Sequence, residues 1–485
     1  MTPHPHRWRI LAVLCLSLLL VVMDNTVLNV AIPSLLTDLD ATTGEVQWVI
    51  DAYSLVFAGL LLTAGSLGDR HGRRRAMLAG FAVFGAASAC AALATTPGQL
   101  VALRGLMGVG GALLMPGTLS IMAQVFPAEE RARAFGIWGA TSMAGIAAGP
   151  TLGGLLLERF WWGAAFLVNV PVTVVAVLGL LLVVPESRGP RRRPDVPGAL
   201  LSTLGMSGLV WAVISGPEHG WTGPRALGGA AAGVTALAAF ALWQHRNPEP
   251  MLDLALLRSR RFSGAAVMIA VSGFALAGTL FALTQLLQLV LGYSPLKAGL
   301  ALLPVAVAAG TGNGLAAALE ARLGDRRALV TGFTVTAGGF AALALTGAHG
   351  YLSVLPGLLL IGFGAGLGAP PAYGILMSAV PAEEAGIGSA VNDAGTELGN
   401  ALGVAVLGSV ISAAYARALP DDVTGAARRS LGEALGLGDP ALAHAARDAF
   451  TSALAVGALT AAAATLLAAL TAAVILRPER IREKV

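Results

Sequence analysis

Long apolar runs recur along this chain and constrain its fold more than any other feature. A helix needs about twenty mostly apolar residues to cross the hydrocarbon core of a bilayer. Fourteen runs close to that length can be placed between Ile10 and Leu476. Only 12% of the residues are charged, whereas a soluble domain carries about 25%. The pattern therefore predicts an all-α membrane protein that crosses the bilayer many times.

The order of the runs predicts how the chain is divided. Six runs come first (1–185), a linker with two extra runs follows (186–261), and six more complete the chain (262–485), with a long outer loop at 415–449. The predicted helices 1 to 14 cover about residues 10–32, 46–67, 76–93, 100–124, 134–157, 164–184, 197–215, 225–243, 262–292, 296–318, 328–347, 351–377, 387–413 and 450–476. Two six-helix halves of this kind are the repeats from which many secondary transporters are built.

The distribution of Lys and Arg predicts the topology. If both termini lie in the cytoplasm, helix alternation places 23 of the 31 Lys and Arg residues inside, 7 outside and Arg104 within helix 4. Positive charge is concentrated on the cytoplasmic side of membrane proteins. We therefore expect a multi-pass protein of the cell membrane with both termini cytoplasmic. Because the basic residues are spread over short loops rather than one soluble surface, no nucleic-acid partner is expected.

The most ordered loop joins helices 2 and 3 and has the sequence G-S-L-G-D-R-H-G-R-R-R from Gly65 to Arg75. Its glycines allow two helix ends to approach closely and turn sharply. Asp69 can pair with a neighbouring arginine or cap a helix N-terminus. The loop could serve only as a topology anchor, but the ordered spacing G-x-L-x-D-R-x-G-R is more specific than an anchor requires.

The second half contains a weaker copy of this loop at Leu323–Arg327. Asp and Arg recur there between two predicted helices. In this comparison Ala321 and Ala328 stand where the first half has Gly65 and Gly72. The copy supports an internal repeat of six-helix halves.

Four charged residues fall within apolar runs, where each costs roughly 2.5–3.5 kcal/mol to insert. Asp24 lies in helix 1, Arg104 in helix 4, and Asp393 and Glu397 lie one turn apart on one face of helix 13. Such residues usually face a cavity or a partner. Asp24 and Arg104 could instead make buried structural bonds, and Asp393 could lie near water at a helix entrance. Asp51, near the outer end of helix 2, fits a solvated helix end and a substrate-entry role equally well.

A carboxylate that is removed from water can bind a proton near neutral pH, or it can neutralise a cationic substrate. One site cannot easily hold both, so their competition predicts exchange of an inward proton for an outward cation. The candidate substrate contacts are Glu397, Asp393, Asp51, Asn29 beside the buried acid of helix 1, and Phe281 as a stacking aromatic. For Phe281 alone, packing in the core or against lipid is the favoured role.

Helix 5 contains a second ordered pattern, Gly145-x-x-x-Gly149-Pro150-x-x-Gly153-Gly154. Glycine at every fourth residue permits close contact between helices. Pro150 bends a helix because it removes one backbone hydrogen bond and clashes with the preceding turn. The glycine spacing alone would indicate an ordinary packing motif.

Together these patterns resemble the major facilitator superfamily, and in particular its fourteen-helix branch of drug:proton antiporters. Gly65–Arg74 resembles the signature loop of the family, Arg104 with its following glycines resembles the R-x-x-x-G helix 4, and Gly145–Gly154 resembles the antiporter motif of helix 5. The D-N-T-V-L-N-V-A-I-P context of Asp24 and the F-L-V-N-V-P of helix 6 resemble the fourteen-helix branch. Met107 departs from the family, which often has glutamine there. The acidic helix 13 is similar to that of pumps for quaternary ammonium compounds.

The resemblance implies two six-helix bundles around a central cavity, with two extra helices between them. It implies proton coupling at Asp24 and Arg104, to which we add Glu397, and it links the helix 5 motif to export. It also assigns gating on the cytoplasmic face to the loop residues Gly65, Asp69, Arg70, Gly72 and Arg73.

The predicted function is proton-coupled efflux of lipophilic, cationic drugs by a monomer that needs no cofactor beyond the proton motive force. The alternatives are an exporter dedicated to one antibiotic or natural product, or a proton-coupled uptake carrier. The partners are then small lipophilic molecules, protons and membrane lipid. An enzyme is not expected, since the sequence has no nucleophile motif, no metal-ligand cluster and no phosphate-binding G-x-x-x-x-G-K loop.

Overall fold

The computed structural model describes residues 4–39, 41, 43–189, 195–345, 350–381, 384–420, 423, 425–428 and 430–476. Some side chains within helices, those of Asn29 and Pro150 among them, lie outside this description. Every regular element in these ranges is a helix. This is expected in lipid, where backbone N–H and C=O groups find no water to bond. The predicted all-α fold is confirmed.

Fourteen helices of spanning length form the fold, as the apolar runs predict. In the described part of the chain, thirteen helices combine the length and hydropathy needed to cross a bilayer. The remaining one, α3, has 19 residues and is therefore about 28 Å long. The helices are α1 (Arg7–Asp38), α2 (Thr43–His71), α3 (Arg73–Ala91), α4 (Pro97–Val125), α5 (Ala128–Leu157), α6 (Ala164–Val183), α7 (Val196–His219), α8 (Pro224–Arg246), α9 (Arg260–Val290), α10 (Pro295–Leu323), α11 (Asp325–Ala344), α12 (Tyr351–Ser378), α13 (Ala385–Ala418) and α14 (Pro440–Ile475).

The predicted outer loop 415–449 is shorter in the structure because α14 begins at Pro440 rather than near Phe450. The Asp439 carboxylate caps this helix and accepts a hydrogen bond from the backbone N–H of Ala441 at 2.9 Å. Proline is favoured in the first turn, where its missing N–H has no intrahelical partner. The first turns of α14 are polar, so a search for apolar runs does not find them.

Helix packing repeats between the two halves of the chain. In the first half α1 packs on α5, α2 on α4, and α3 on both α4 and α6. In the second half α9 packs on α13, α10 on α12, and α11 on both α12 and α14. These equivalent pairings give two six-helix bundles, as expected for an internal repeat.

The extra helices α7 and α8 pair with each other, and α7 lies along α2 of the first bundle. The hydroxyl oxygens of Thr63 in α2 and Thr203 in α7 are 3.3 Å apart. The Ser207 hydroxyl of α7 donates a hydrogen bond to the carbonyl of Leu55 at 3.3 Å. The pair is therefore central in the sequence but attached to the side of the N-terminal bundle.

The two bundles meet along two seams. One seam is formed by α5 against α10 and α12, and the other by α2 and α4 against α13. Glycines allow the close approach: a Cβ added to Gly136 of α5 would lie 2.9 Å from the carbonyl oxygen of Asn313 in α10. These seams place the charged helices α4 and α13 next to each other.

Two adjacent glycines of α11 provide a test of this packing. A Cβ added to Gly339 would lie 2.6 Å from the backbone nitrogen of Ile361 in α12, whereas one added to Gly338 would meet nothing within 4 Å. We expect Gly339→Ala to lower the free energy of unfolding by about 1–3 kcal/mol through overpacking. Gly338→Ala should raise it by about 0.5–1 kcal/mol, because alanine favours the helix. Thermal unfolding of the purified variants in detergent measures both, and equal effects would contradict the proposed α11–α12 contact.

Candidate functional site

A buried ion pair joins α1 to α4. The Arg104 guanidinium donates to the Asp24 carboxylate at 2.5 Å, and these residues are 0% and 3% exposed. Arg104 also donates to the backbone carbonyl of Val49 at 3.2 Å and to the Asn25 side-chain oxygen at 3.3 Å. The structure therefore brings together the acid of helix 1 and the arginine of helix 4 that the sequence singled out.

Arg104 also lies close to an aromatic ring and a thioether sulfur. Its guanidinium lies 4.4 Å from the centre of the Tyr53 ring, a distance at which cation–π attraction operates. The Met107 sulfur lies 4.0 Å from a guanidinium nitrogen, so the residue that departs from the family pattern still contacts the arginine. A guanidinium has five N–H donors and cannot lose its charge. Removal of the paired acid would leave that charge buried, at a cost of about 3–5 kcal/mol.

Asn169 of α6 completes the site, and the sequence analysis did not assign it a role. Its Nδ2 donates to the second oxygen of Asp24 at 2.7 Å and to the Ser88 hydroxyl at 3.1 Å. Ser88 in turn donates to the carbonyl of Phe166 at 2.8 Å. The sequence feature that could have identified Asn169 is the F-L-V-N-V-P segment, in which an amide side chain lies among apolar residues.

The glycines of the helix 5 motif form the wall behind this site. Gly145, Gly149 and Gly153 face α1, so the backbones of α1 and α5 approach closely. A Cβ added to Gly145 would lie 3.0 Å from Val22, and one added to Gly149 would lie 3.2 Å from the carbonyl of Met23. The glycine spacing thus packs α5 against the turn of α1 that carries the buried acid.

Gly154 faces away from α1, and a Cβ added there would lie 3.9 Å from Leu296 of α10. One motif therefore contacts both bundles, because its last glycine meets the second half. Pro150 falls within α5, and its side chain lies outside the described part of the structure.

The acids of α13 lie at the boundary between the bundles. Asp393 is buried and one of its oxygens accepts from the Asn392 side chain at 2.9 Å. The other oxygen is buried and has no hydrogen-bond partner among the described residues. Glu397, one turn further, is half-buried. An unpartnered carboxylate oxygen is costly to bury, so Asp393 can accept a proton or a cationic group.

Aromatic side chains from both halves lie in the region of these acids. The rings of Trp138 in α5 and Tyr373 in α12 meet edge to face across the bundle boundary, with their centres 5.6 Å apart. Tyr373 is close enough to Asp393, and Tyr53 close enough to Glu397, for electrostatic interaction. Tyr53 also contacts Arg104, so it lies between the two charged sites.

Three other predicted contacts are placed less favourably. Asp51 is half-buried near the N-terminal end of α2. The side chain of Asn29 lies outside the described residues. Phe281 is 45% exposed beside Gly408, which is about 16 Å along α13 from Glu397 at 1.5 Å per residue. The structure therefore does not bring Phe281 together with the acids of α13.

The loop between α2 and α3 joins the two bundles at the end where α13 begins. Asp69 pairs with Arg73 at 2.6 Å. Its two carboxylate oxygens also accept from the backbone N–H groups of Gly386 at 3.1 Å and Ile387 at 3.2 Å, in the first turn of α13. Because helix N-termini attract negative charge, the acid acts as a cap supplied by the opposite bundle. We call this contact the latch.

The glycines of the loop make the latch possible. A Cβ added to Gly65 would lie 2.6 Å from the carbonyl oxygen of Gly386. Gly72 begins α3 with a φ of +115°, and a side chain there would also collide with Glu186. Arg70 is half-buried on the last turn of α2. The loop residues predicted from the sequence therefore lie together at the seam between α2 and α13.

The predicted correspondence of the second-half loop was wrong by four residues. Gly324, not Ala328, is the counterpart of Gly72, because it precedes α11 with a φ of +77°. In that register Ala321 takes the place of Asp69. The second bundle therefore has no acid at the latch position, and the repeated loop lacks the cap that the first loop supplies.

Loss of the latch is testable. Asp69→Asn should remove one partner of a buried ion pair, which costs about 3–5 kcal/mol, and weaken the cap on α13. We expect a lower thermal midpoint and several-fold faster labelling of Ser389→Cys, a fully buried position of α13, by a water-soluble maleimide. Arg75→Ala is the matched control, since its side chain is 66% exposed and its pair with Glu186 spans 3.7 Å. If both variants label alike, Asp69 does not hold the bundles together.

Comparison with known proteins places this arrangement among transporters. The model of the Major Facilitator Superfamily matches residues 14–404. The multidrug efflux pump LfrA of Mycolicibacterium smegmatis is 39% identical over 480 residues, which are 95% of each chain. The puromycin resistance protein pur8 of Streptomyces alboniger is 38% identical over 87% of this chain and 85% of that protein. The methyl viologen resistance protein SmvA of Salmonella typhimurium is 35% identical over 92% of this chain and 93% of that protein.

A solved structure shows the same fold. The human organic anion transporter MFSD10 matches 97% of this chain and 100% of its own length, with a TM-score of 0.67 at 16% identity. At this identity the likeness concerns the fold alone. It agrees with the two-bundle arrangement described above.

Proposed function

The chain belongs to the major facilitator superfamily, and from that premise we propose that it exports lipophilic, cationic drugs in exchange for protons. It is a transporter of small molecules and not an enzyme. The observation that carries the choice of cations is the buried, unpartnered carboxylate oxygen of Asp393 at the boundary between the bundles. The multidrug and methyl viologen resistance relatives support this choice of substrate.

In the proposal the proton binds at Asp24. This acid is buried within one bundle and pairs with Arg104. A proton on the carboxylate weakens that pair, and its release restores it, so the proton changes the packing of α1 against α4. The inward proton is driven by about 2.3 kcal/mol per 100 mV of membrane potential. No cofactor is then required.

The cation binds on the other side of Tyr53, at Asp393 and Glu397. Trp138 and Tyr373 supply aromatic faces and edges from both bundles, and aromatic rings attract cations. Since Tyr53 is close to both Arg104 and Glu397, a change at the proton site reaches the cation site through one side chain. This arrangement supports Glu397 as a group that responds to both proton and substrate.

Alternating access follows from the seams between the bundles. The latch closes the cytoplasmic end when Asp69 caps α13 and opens it when the bundles separate. We further propose that both termini lie in the cytoplasm of a plasma-membrane protein and that a monomer is the working unit, since each bundle pair encloses its own site.

One competing function has specific support. The puromycin resistance relative favours an exporter that is dedicated to one antibiotic or natural product. Such an exporter would keep the proton site and the latch but would not respond to diverse cations. A proton-coupled uptake carrier is weaker, because the helix 5 motif resembles that of exporters.

The test uses purified protein in liposomes that contain a pH-sensitive dye. Addition of ethidium or a quaternary ammonium compound to the wild type should drive proton movement. Asp24→Asn should abolish that movement, because the proton site is lost. Asp393→Asn should raise the concentration for half-maximal response to cations at least tenfold, since a buried charge pair contributes several kcal/mol, and should affect neutral substrates less. Glu433→Gln, an exposed acid of the outer segment, is the control and should behave as wild type.

The outcomes separate the two functions. If no cation moves protons in the wild type while a single antibiotic does, the dedicated exporter is correct. If Asp24→Asn retains full substrate-driven proton movement, proton coupling lies elsewhere and the assignment to this acid fails.

A further inference from the structure

Asn169 lies fully buried on α6, against the acid to which the proposed function assigns the proton. We propose that Asn169 is a positioning residue that serves both protonation states of Asp24 by turning its side-chain amide. The inference rests on the proposed function, because it requires that Asp24 gains and loses a proton.

The observed orientation of the amide suits the ionised acid. Asp24 receives the guanidinium of Arg104 on one oxygen at 2.5 Å and the Nδ2 of Asn169 on the other at 2.7 Å. An ionised carboxylate can only accept hydrogen bonds, and here each oxygen faces a donor. The amide therefore holds the carboxylate in the position from which it pairs with the arginine.

The other end of the amide is unsatisfied. The Oδ1 of Asn169 is buried and has no hydrogen-bond partner among the described residues. Buried acceptors without partners are uncommon and cost about 1–3 kcal/mol. The acceptor is thus present beside the proton site but is turned away from it.

A protonated Asp24 needs that acceptor. Its new O–H group is a donor, and the N–H group of Asn169 that now faces it cannot accept. Half a turn of the amide about its last side-chain bond exchanges Nδ2 and Oδ1, and places an acceptor at the same 2.7 Å position. The O–H of the acid then donates to the amide oxygen, and no covalent bond other than that of the transferred proton forms or breaks.

Ser88 allows the turn. Its hydroxyl now accepts from Nδ2 at 3.1 Å and donates to Phe166. A hydroxyl is both donor and acceptor and its hydrogen can rotate, so after the turn it can donate to the amide oxygen instead. In each orientation one end of the amide is unsatisfied, and in the turned orientation the Phe166 carbonyl also loses the Ser88 donor. The proton on the acid then decides between them.

Arg104 and the glycines of α5 do not provide this acceptor, whereas the Tyr53 hydroxyl is both a donor and an acceptor. Arg104 from α4 has donors only. Tyr53 from α2 has its ring against that arginine, with Glu397 of α13 beyond it. The α5 residues at this turn are glycines with no side-chain acceptor. Asn169 carries no charge at any pH, so it adds no second titration to the site.

Infrared difference spectroscopy of the protein in liposomes, recorded between neutral and acidic pH, tests the turn directly. In wild type we expect a carboxylic-acid carbonyl band from Asp24 together with a downshifted asparagine carbonyl band, because the amide oxygen gains a hydrogen bond. Asn169→Leu should keep the acid band and lose the amide band, and Asp24→Asn should lose both. Asn169→Ser repeats the test if the leucine variant does not fold. Thr173→Val is the matched control, since its hydroxyl is buried one turn further along α6 and its oxygen has no described partner.

The same variants are compared in the liposome transport assay. Asn169→Leu should lower the maximal rate of cation-driven proton movement about tenfold, as loss of a hydrogen bond near 1.4 kcal/mol implies. The concentration for half-maximal response should change less than about threefold, because the acids of the cation site lie on α13 of the other bundle. A residue with a merely structural role would change neither the ratio of these two values nor the amide band.

The results distinguish the turning amide of Asn169 from the proposed proton site at Asp24 on which it depends. An acid band that depends on Asp24 without an amide band that depends on Asn169 would overturn the turning amide and leave the proton site intact. Absence of any acid band from Asp24 would overturn the proton site, and the inference with it. Both bands, with the loss of rate in Asn169→Leu, support the inference.

Discussion

The buried charge of Arg104 is the constraint on which the N-terminal bundle depends. A guanidinium at membrane depth cannot be neutralised and is costly unless it is paired and hydrogen-bonded. Its partners come from α1 and α2, which supply Asp24, Asn25, a backbone carbonyl and the ring of Tyr53. The glycines of α5 then allow close contact on the other face of α1. The bundle is thus packed around one ion pair, and a change in the protonation of that pair must be felt by several helices.

The second bundle repeats the helices but not the charge. Four of the five helices that correspond to those of the ion-pair site, α9, α11, α12 and α14, enclose a small cavity lined in part by Ser272, Thr336 and Thr465. The hydroxyls of Thr336 and Thr465 bond to carbonyls of their own helices. The acids of this half lie instead on α13, at the boundary with the first bundle. The internal repeat therefore supplies the same scaffold twice, and among the described residues only the first copy holds a buried ion pair there.

Much of the architecture could be predicted from the sequence because lipid imposes strong rules. The length of the apolar runs identified fourteen helices, and the free-energy cost of placing a charge in the bilayer singled out the charged residues within them. Tertiary contacts carry no such periodic signal. The partners of Asp69 are backbone N–H groups more than 300 residues away, and Asn169 is an uncharged residue in an apolar helix. The predicted alignment of the second loop with the first was also wrong. Asp325 repeats the letters of the motif, but the positive φ at Gly324 determines where the turn lies.

Electrostatic contacts within a bundle differ in kind from those between bundles. The pair of Asp24 with Arg104, and the pair of Asp69 with Arg73, each join residues of the first bundle, so separation of the bundles need not break them. Across the seam, the described hydrogen bonds of Asp69 are those from the backbone N–H groups of α13. Breaking a charge–dipole contact at a helix end costs about 0.5–2 kcal/mol, because water can replace the cap and Arg73 still pairs with the acid. Breaking a buried ion pair would cost about 3–5 kcal/mol. The chain therefore keeps its strong pairs where the structure is rigid and a weak contact where it must open, which permits movement without an uncompensated buried charge.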